Sequence, residues 1–404
     1  MRSTPKATGG ARLGAAALCC ALVATACGGD TRPAPAVVAA TAPAPLRSLY
    51  VQAPLSGPAA DEGRAMVDAV RLVVDQAGGM AGPRRVVVRP LDDGGGSGAT
   101  DPVRCAANAE RAAADPATLA VIGTYELACS ERALRILRPA GVRLVSPVNA
   151  AATLRGALRL APTPRDEGAA AAQLARALGA TGIAIVSERH GAAAAFAAGL
   201  AASAPGLGAG PVARLDASAA PIDDLVTQIG AARVQVVALA GSPGVWATDL
   251  LRALSFVPQA ARPSVVAPES FDTLAFLGSA GAAAEGLRVI SRFVPAEQLG
   301  DRARGFAGAY ADLHGQPPPV ALYAADAAQT VLDAAATSGA SRASMARALA
   351  AVPAHDALLG RWAGTTTGGI TPRRLAVLTV SSGAFRVERV VSVADPPGSI
   401  ASVR

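Results

Sequence analysis

The sequence predicts an α/β protein with two similar lobes, each a parallel β-sheet with helices on both faces. Short apolar runs alternate with amphipathic, alanine-rich segments from residue 49 onward, and strict alternation of strands and helices is typical of a covered parallel sheet. The same alternation begins again after Thr163. The chain has 404 residues, enough for two domains of ordinary size after its N-terminal region is set aside.

The first lobe is predicted from four apolar runs and the three alanine-rich segments between them. The runs are rich in Val, Leu and Ile, which favour strands, and Gly, Pro or Asp residues follow them. In chain order the segments are strand 49–55, helix 60–77, strand 85–93, helix 101–114, strand 119–123, helix 130–140 and strand 142–148.

The second lobe repeats this pattern, and a last stretch adds further helices and two strands. The second unit comprises helix 166–178, strand 182–187, helix 192–204, strand 211–216, helix 222–232, strand 234–241, helix 245–254 and strand 263–269. The last stretch comprises strand 287–293, helices 301–314, 320–338 and 341–352, and strands 374–383 and 384–393.

The N-terminus reads as an export signal over residues 1–26. Cations at Arg2, Lys6 and Arg12 precede an apolar run at 13–23 that is too short to span a bilayer. Small residues at 24–26 lie directly before Cys27, so the segment resembles a bacterial lipoprotein signal in which Cys27 is acylated, although Ala24 stands where leucine is usual. An ordinary secretory cleavage site at the same three residues is the alternative.

The Ala- and Pro-rich residues 27–46 are predicted to form an extended tether. We therefore expect an extracytoplasmic protein that is anchored to the cell membrane by lipid at Cys27.

Two cysteines, Cys105 and Cys129, remain after the signal. In an oxidising compartment they suggest one disulfide, and closing a loop of this length stabilises by roughly 3 kcal/mol on the chain-entropy model. The alternative is that both are small buried hydrophobic residues.

Composition and charge argue against several classes of protein. Without the signal, the positive excess over acidic residues falls from seven to four, which does not favour nucleic-acid binding. Lys6 is the only lysine, so the exported chain has none for a Schiff base or a phosphate-binding loop. A glycine-rich pattern at 94–99 is a weak dinucleotide signal, and His190, His314 and His355 are too dispersed for zinc. We expect neither an enzyme nor a bound cofactor or metal.

A series of short motifs carries a family resemblance. They are PLSGPAADEG (54–63), DQAGGMAG (75–82), LDD (91–93), VIGTYELACSERA (121–133), AGVRLVSPVNA (140–150), PTPRDEGAAAA (162–172), PESFD (268–272), AGAAAEG (280–286) and ALYAADAA (321–328). In this order and spacing the chain resembles the type I periplasmic binding proteins, and most closely the branched-chain amino-acid group that serves ABC importers. The resemblance covers nearly the whole exported domain.

The resemblance implies the domain organisation and the partners. Two Rossmann-like lobes would comprise residues 47–163 with 291–374, and residues 164–290 with 375–404, joined by three crossovers and closing on a small-molecule ligand by hinge motion. The partners would be an ABC permease complex and, through the lipid anchor, the membrane, with no nucleic acid. The resemblance also implies the pairing of Cys105 with Cys129.

The resemblance further implies where an amino acid would bind. Its carboxylate would meet the loop 124–130 at a helix N-terminus, where backbone N–H groups and the helix dipole favour an anion. Leu127 replaces the usual serine and Ala150 the usual threonine. The candidate donors that remain are the backbone of Ala128, the hydroxyls of Thr124 and Ser130, and Asn149.

Glu269 directly follows a predicted strand and stands where the family binds the ligand's ammonium group. Glu62 stands where an aromatic residue is usual, so a polar or larger ligand is as plausible as leucine. Tyr125 and Ser242 complete the candidate ligand-binding residues. The alternative function is a ligand-binding sensor, or an orphan receptor of the same fold whose ligand is not an amino acid.

Overall fold

Strand β1 (Leu46–Ala53) is the centre of the first sheet. It pairs in parallel with β3 (Arg84–Asp92) on one side and with β4 (Thr118–Gly123) on the other. Residues 48–53 and the whole of β4 are buried, as expected for strands covered by helices on both faces.

The structure is a computed structural model that describes residues 44–95, 98–208, 212–218 and 221–395. The predicted signal, Cys27 and the tether up to residue 43 lie outside the described residues. The tether was predicted to extend to residue 46, but Leu46 already pairs with Arg85 in the first sheet.

Within the described residues, the first sheet has the order β2-β3-β1-β4-β5-β6. Its remaining strands are β2 (Met80–Ala81), β5 (Leu144–Ser146) and β6 (Leu158–Arg159), and its helices are α1 (Ala60–Gln76), α2 (Pro102–Ala114) and α3 (Leu127–Leu137). The sequence did not predict the two-residue strands β2 and β6, which are too short to give a hydrophobic pattern.

The second sheet has the order β16-β15-β11-β10-β9-β7-β8 among the described residues. Its strands are β7 (Ile183–Ser187), β8 (Val212–Asp216), β9 (Val236–Ala240), β10 (Ser264–Pro268), β11 (Arg288–Ser291), β15 (Arg373–Ser381) and β16 (Ala384–Val393). Strands β15 and β16 form an antiparallel hairpin added to the parallel strands, so this sheet is mixed rather than purely parallel. The α/β fold with two helix-flanked sheets is confirmed.

The helices of the second lobe follow its strands in alternation. They are α4 (Pro164–Ala177), α5 (Gly191–Ser203), α6 (Ile222–Ala232), α7 (Val245–Ser255) and α8 (Leu274–Ala280). Helices α4 and α5 pack very closely, because a Cβ at Gly168 would lie 2.0 Å from the carbonyl oxygen of Phe196, and one at Gly199 would lie 2.0 Å from that of Arg165.

The segment between β11 and β15 returns to the first lobe. It contains α9 (Asp301–His314), α10 (Pro319–Ser338), α11 (Arg342–Ala348) and the small antiparallel strands β12 (His355–Ala357), β13 (Gly360–Gly364) and β14 (Ile370–Thr371). Helix α10 packs on α1 and is buried along most of its length. The buried Asp326 of α10 accepts hydrogen bonds from Trp362 Nε1 (3.0 Å) and Leu358 N–H (2.7 Å), which fastens the small sheet to the helix.

Helix boundaries follow local capping. Thr163 and Asp166 form a reciprocal capping box at the start of α4, with Pro164 in the first turn. The predicted start of α3 at residue 130 is wrong by three residues, because the chain enters the helix directly from the extended Glu126. The predicted end of the last helix at 352 is also wrong, since α11 ends at Ala348.

Two of the three crossovers between the lobes are tied together by Arg373. Its guanidinium forms ion pairs with Asp166 (2.9 Å) and Asp395 (2.8 Å), and Nη1 donates to the carbonyl oxygen of Ile370 at 2.6 Å. The side chain of Arg373 is only 9% exposed, so these partners compensate for its burial.

No helix in the described part of the chain is both long enough and apolar enough to span a bilayer.

Candidate functional site

Polar side chains from both lobes follow the carboxyl ends of parallel strands. In the first lobe, β4 leads into the loop 124–126 and then into α3. In the second lobe, β10 is followed at once by Glu269 and β11 by Arg292. Ligands in open α/β sheets gather at this edge, so these loops form the candidate site.

The charged surroundings of Tyr125 include residues of both lobes. Its side chain is half-buried, and desolvation raises the pKa of its hydroxyl. The negative charges of Glu62, Glu126 and Glu269 raise that pKa further. Because Glu269 belongs to the second lobe and Tyr125 to the first, the hydroxyl lies within electrostatic range of both lobes.

The carboxylate of Glu269, predicted to bind a ligand ammonium group, is paired with Arg292. Arg292 Nε donates to Oε2 at 2.5 Å, Nη2 donates to Oε1 at 3.1 Å, and the backbone N–H of Arg292 donates to Oε2 at 3.1 Å. Both carboxylate oxygens are therefore engaged by one guanidinium in a bidentate arrangement, which is the strong form of this ion pair.

Glu167 of α4 lies beneath this pair. Its Oε2 accepts from the backbone N–H of Glu269 at 3.0 Å, and its Oε1 lies 3.2 Å from Arg292 Nε. Burial raises the pKa of Glu167 to about 8, although the nearby guanidinium opposes the shift. Burial therefore disfavours the charged form of Glu167, and Glu269 is the main charged partner of Arg292.

Two further groups surround the pair. The hydroxyl of Tyr323 in α10 donates to the carbonyl oxygen of Arg292 at 2.6 Å, which links the first lobe to this edge of the second. Burial and the charge of Glu269 raise the pKa of Asp272 to about 6.

The loop that was predicted to hold a carboxylate begins at Gly123. Gly123 has φ +142°, and a Cβ there would lie 2.2 Å from the carbonyl oxygen of Gln52, so only glycine fits. Glu126 is the N-terminal cap position of α3, and Thr100 Oγ1 donates to its carboxylate. Leu127 is 40% exposed and Ala128 is exposed, at the first helical positions where backbone N–H groups lack intrahelical partners.

Asn149, also predicted to contact ligand, fixes the shape of this loop. Its Nδ2 lies within hydrogen-bonding distance of the carbonyl oxygens of Thr124 (2.8 Å) and Tyr125 (3.1 Å) and of Ser130 Oγ (2.9 Å). Ala150, which follows it, is buried. The amide donors of Asn149 are therefore already used within the first lobe.

Glu62 and Ser242 complete the predicted set. Glu62 is half-buried in the first turn of α1, and no described residue hydrogen-bonds or ion-pairs with it. Ser242 is exposed after β9, and its backbone N–H donates to Glu188 Oε2 at 3.1 Å. Glu188 also accepts from Trp246 Nε1 at 3.0 Å, so this corner of the second lobe is internally bonded.

The disulfide lies next to the loop. Cys105 of α2 and Cys129 of α3 are bonded (S–S 2.02 Å), which confirms the predicted pairing. Asp93 beside them accepts from Gln52 Nε2 and Asn108 Nδ2, and burial raises its pKa to about 6. Within the described residues, Asp93, Cys105 and Cys129 lie close enough together to be considered as metal ligands. The two cysteines form a disulfide, however, and a disulfide offers no thiolate to a metal.

The sequence analysis missed Arg292 and Glu167. The signal for Arg292 was available, because it is an ionisable residue directly after an apolar strand, the same criterion that selected Glu269. Glu167 gave no signal, because acidic residues are common in the first turn of any helix.

Comparison with known families and structures identifies the family of this fold. A family profile described as periplasmic binding protein matches residues 51–384. The chain belongs to the periplasmic binding protein family. Within this family it is of type I, the leucine and branched-chain amino-acid type, as the motifs predicted. Members of this family are extracytoplasmic substrate-binding proteins. No curated protein matches this binding protein.

The chain is also similar to solved structures of binding proteins, and each match covers nearly the whole length of the solved protein. A branched-chain amino-acid ABC transporter protein from Rhodospirillum rubrum is 26% identical, with a TM-score of 0.69, and the match covers 85% of this chain and 99% of that one. A substrate-binding protein from Desulfitobacterium hafniense in complex with Leu is 20% identical, with a TM-score of 0.69 and coverage of 85% and 99%. A solute-binding protein from R. palustris in complex with benzoate is 17% identical, with a TM-score of 0.61 and coverage of 88% and 99%. The last two proteins are only 20% and 17% identical to this chain, so their similarity shows a shared fold and nothing more.

Proposed function

We propose that this protein is the lipid-anchored, substrate-binding component of an ABC importer and captures an amino acid or amino-acid-like solute between its two lobes. The observation that carries the proposal is the contact between the lobes at this edge: the hydroxyl of Tyr323 in the first lobe donates to the carbonyl oxygen of Arg292 in the second at 2.6 Å, and the charge of Glu269 acts on Tyr125. Closure of the lobes by hinge motion would enclose the solute there and present one face to a permease.

The first lobe retains part of a carboxylate site. The N–H groups at Leu127 and Ala128 open at the N-terminus of α3, where the helix dipole favours an anion. The serine and threonine hydroxyls that the family resemblance implies are absent, so backbone donors would carry this contact.

A thermal-shift screen of the purified protein against amino acids, small peptides, amides and short carboxylates tests the proposal. A ligand at 100 times its dissociation constant stabilises by about 2.7 kcal/mol, which such a screen detects. A shift with members of one chemical class identifies the cargo. No shift with any compound would contradict the proposal.

The same screen on two charge variants tests the site. Glu62→Gln and Glu269→Gln alter the candidate site, and Glu110→Gln, an exposed residue on α2, is the matched control. We expect the control to bind like the wild type. If all three variants bound the ligand as tightly as the wild type, the ligand would have to bind away from Glu62 and Glu269.

A receptor or sensor with a ligand other than an amino acid is the second candidate, and the occupation of Glu269 by Arg292 favours it. The benzoate complex of the R. palustris protein is an example of a different ligand on this fold. Solute uptake by cells lacking this protein separates the two functions. Unchanged uptake of a solute that binds the purified protein favours the sensor.

A further inference from the structure

The pairing of Glu269 with Arg292 changes what the second lobe can offer a ligand. In an amino-acid site a free carboxylate would accept the hydrogens of the ligand's ammonium group. Here both oxygens of Glu269 already accept from Arg292, at 2.5 and 3.1 Å. A ligand ammonium group would have to share this carboxylate with a bidentate guanidinium, because Oε2 already accepts two hydrogen bonds and Oε1 accepts one.

Glu167 does not restore the missing negative charge. Its Oε1 lies 3.2 Å from Arg292 Nε, and burial raises the pKa of this carboxyl to about 8, which disfavours its charge. The ion pair of Glu269 and Arg292 is therefore close to neutral as a unit, and the protein's own guanidinium fills the place of a ligand cation.

Arg292 retains donors that no described residue uses. A guanidinium has five N–H donors, and the bonds to Glu269 and Glu167 involve Nε and Nη2. Nη1 has no hydrogen-bond partner in the described chain and is not among its buried unsatisfied atoms. With the side chain 26% exposed, the Nη1 edge is open to a ligand.

An amino acid would place its carboxylate at the start of α3 in the first lobe, as described under the proposed function, but the charges around Tyr125 favour a different kind of group there. Leu127 and Ala150 replace hydroxyl residues there, while Glu62 and Glu126 add negative charge around Tyr125. A second carboxylate on the ligand would be repelled by these two glutamates, whereas an apolar part could lie against Tyr125 and Leu127.

We propose that the cleft selects a monocarboxylic acid without an ammonium group, whose carboxylate binds the Nη1 edge of Arg292 and whose apolar part lies toward Tyr125 and Leu127. The proposal rests on the proposed solute-binding function and names its ligand class. An oxo acid with an amino acid's carbon skeleton, or an aromatic acid, has this chemistry.

Matched ligand pairs test this proposal on the unaltered full-length protein. Isothermal titration would compare phenylpyruvate with phenylalanine and ketoisocaproate with leucine, and would include benzoate. We expect at least one acid to bind about tenfold or more tightly than the amino acid of the same skeleton, as charged hydrogen bonds of this kind allow. Tighter binding of the amino acid in each pair would overturn the inference but support the proposed function. No binding of either class would overturn both.

Arg292→Gln isolates the guanidinium. This change should weaken binding of the acid at least tenfold and strengthen binding of the matching amino acid, because it frees Glu269. Arg189→Gln is the control, since Arg189 is a guanidinium at the same edge that pairs with Asp216 instead. Unchanged acid affinity in Arg292→Gln would overturn the inference. If that variant does not fold, Arg292→Lys keeps the charge without the forked donors, and the same loss is expected.

Discussion

At the scale of single residues, the site is organised by ion pairs that the protein makes with itself. Glu269, Arg292 and Glu167 come from positions far apart in sequence and meet within hydrogen-bonding distance. Burial of two carboxyl groups beside one guanidinium disfavours the charge of the more buried carboxyl group, which raises the pKa of Glu167.

Glu167→Gln should remove a pH dependence of stability. The pKa of Glu167 is about 8 in the folded protein, above its ordinary value of 4.5, so its stabilising contribution is fully present below pH 4.5 and is lost as pH rises toward 8. We expect the unfolding free energy of the wild type, relative to the variant, to fall between pH 5 and pH 8. Urea denaturation at both pH values measures this, with Glu110→Gln as control. A constant difference would mean that Glu167 stays ionised.

The limits of sequence analysis are clearest at this scale. Glu269 and the disulfide cysteines could be selected from strand ends and family spacing, and the structure brings both cysteines together. Arg292 could not be paired with Glu269 in advance, because strand position does not report which side chains meet across neighbouring strands. The predicted ligand contact of Asn149 stays a prediction, and its bonds to the loop backbone depend on a turn that has no sequence pattern.

At the scale of elements, α2 and α3 are joined covalently beside the candidate loop. The disulfide fixes Cys129 two residues after Leu127, so it restrains the helix start that would face a ligand carboxylate. Strands and helices of this size were predictable from alternation, including the two strands β15 and β16. The start of α3 was not, because it depends on local geometry, and neither was the antiparallel pairing of β15 with β16.

Removing the disulfide should cost about 3 kcal/mol of unfolding free energy, because it closes a loop of 24 residues in the unfolded chain. Urea denaturation of a Cys105→Ala/Cys129→Ala double variant measures the loss. Dithiothreitol should lower the stability of the wild type and leave the double variant unchanged. An equal effect of the reductant on both proteins would contradict the prediction.

The close approach of α4 and α5 predicts opposite effects of two glycine substitutions. Gly168→Ala places a Cβ 2.0 Å from the carbonyl oxygen of Phe196 and should destabilise by about 1–3 kcal/mol. Gly305→Ala in α9 meets no atom within 4 Å and should stabilise by about 0.4–1 kcal/mol, through the lower entropy of the unfolded chain. Thermal unfolding of both variants tests the pair. Similar changes in stability at the two sites would show that helix propensity, and not packing, determines the effect of the substitutions.

At the scale of the whole molecule, Arg373 links two of the crossovers between the lobes. It lies in β15, which follows one crossover, and pairs with Asp166 of α4, which follows another. Its ion pairs with Asp166 and Asp395 join α4, β15 and the residues that follow β16. A rigid tie at this position would confine bending to the backbone around it.

Arg373→Met should destabilise the protein by about 3–5 kcal/mol, because it leaves buried carboxylates without their partner. Arg361→Met removes an exposed pair with Asp356 and should cost no more than about 1 kcal/mol. Chemical denaturation compares the two. A small loss in Arg373→Met would mean that water replaces the guanidinium.

The proposed anchor predicts where the whole protein is found. Cys27→Ala should move it from the membrane fraction to the soluble extracytoplasmic fraction, because the acylated residue is lost. Detergent partition and blotting of both fractions measure this. An unchanged soluble distribution in wild type and variant would establish an ordinary secretory signal.

The return of the chain to the first lobe has a consequence for biogenesis. Helix α10 covers α1, and Arg342 of α11 donates to the carbonyl oxygens of Ala113, Asp115 and Ala140. The first lobe therefore cannot be completed until residues beyond 340 have been synthesised. Until then its earliest strands lack their cover, so a chain exported while it is still being synthesised would reach the export pore incompletely folded.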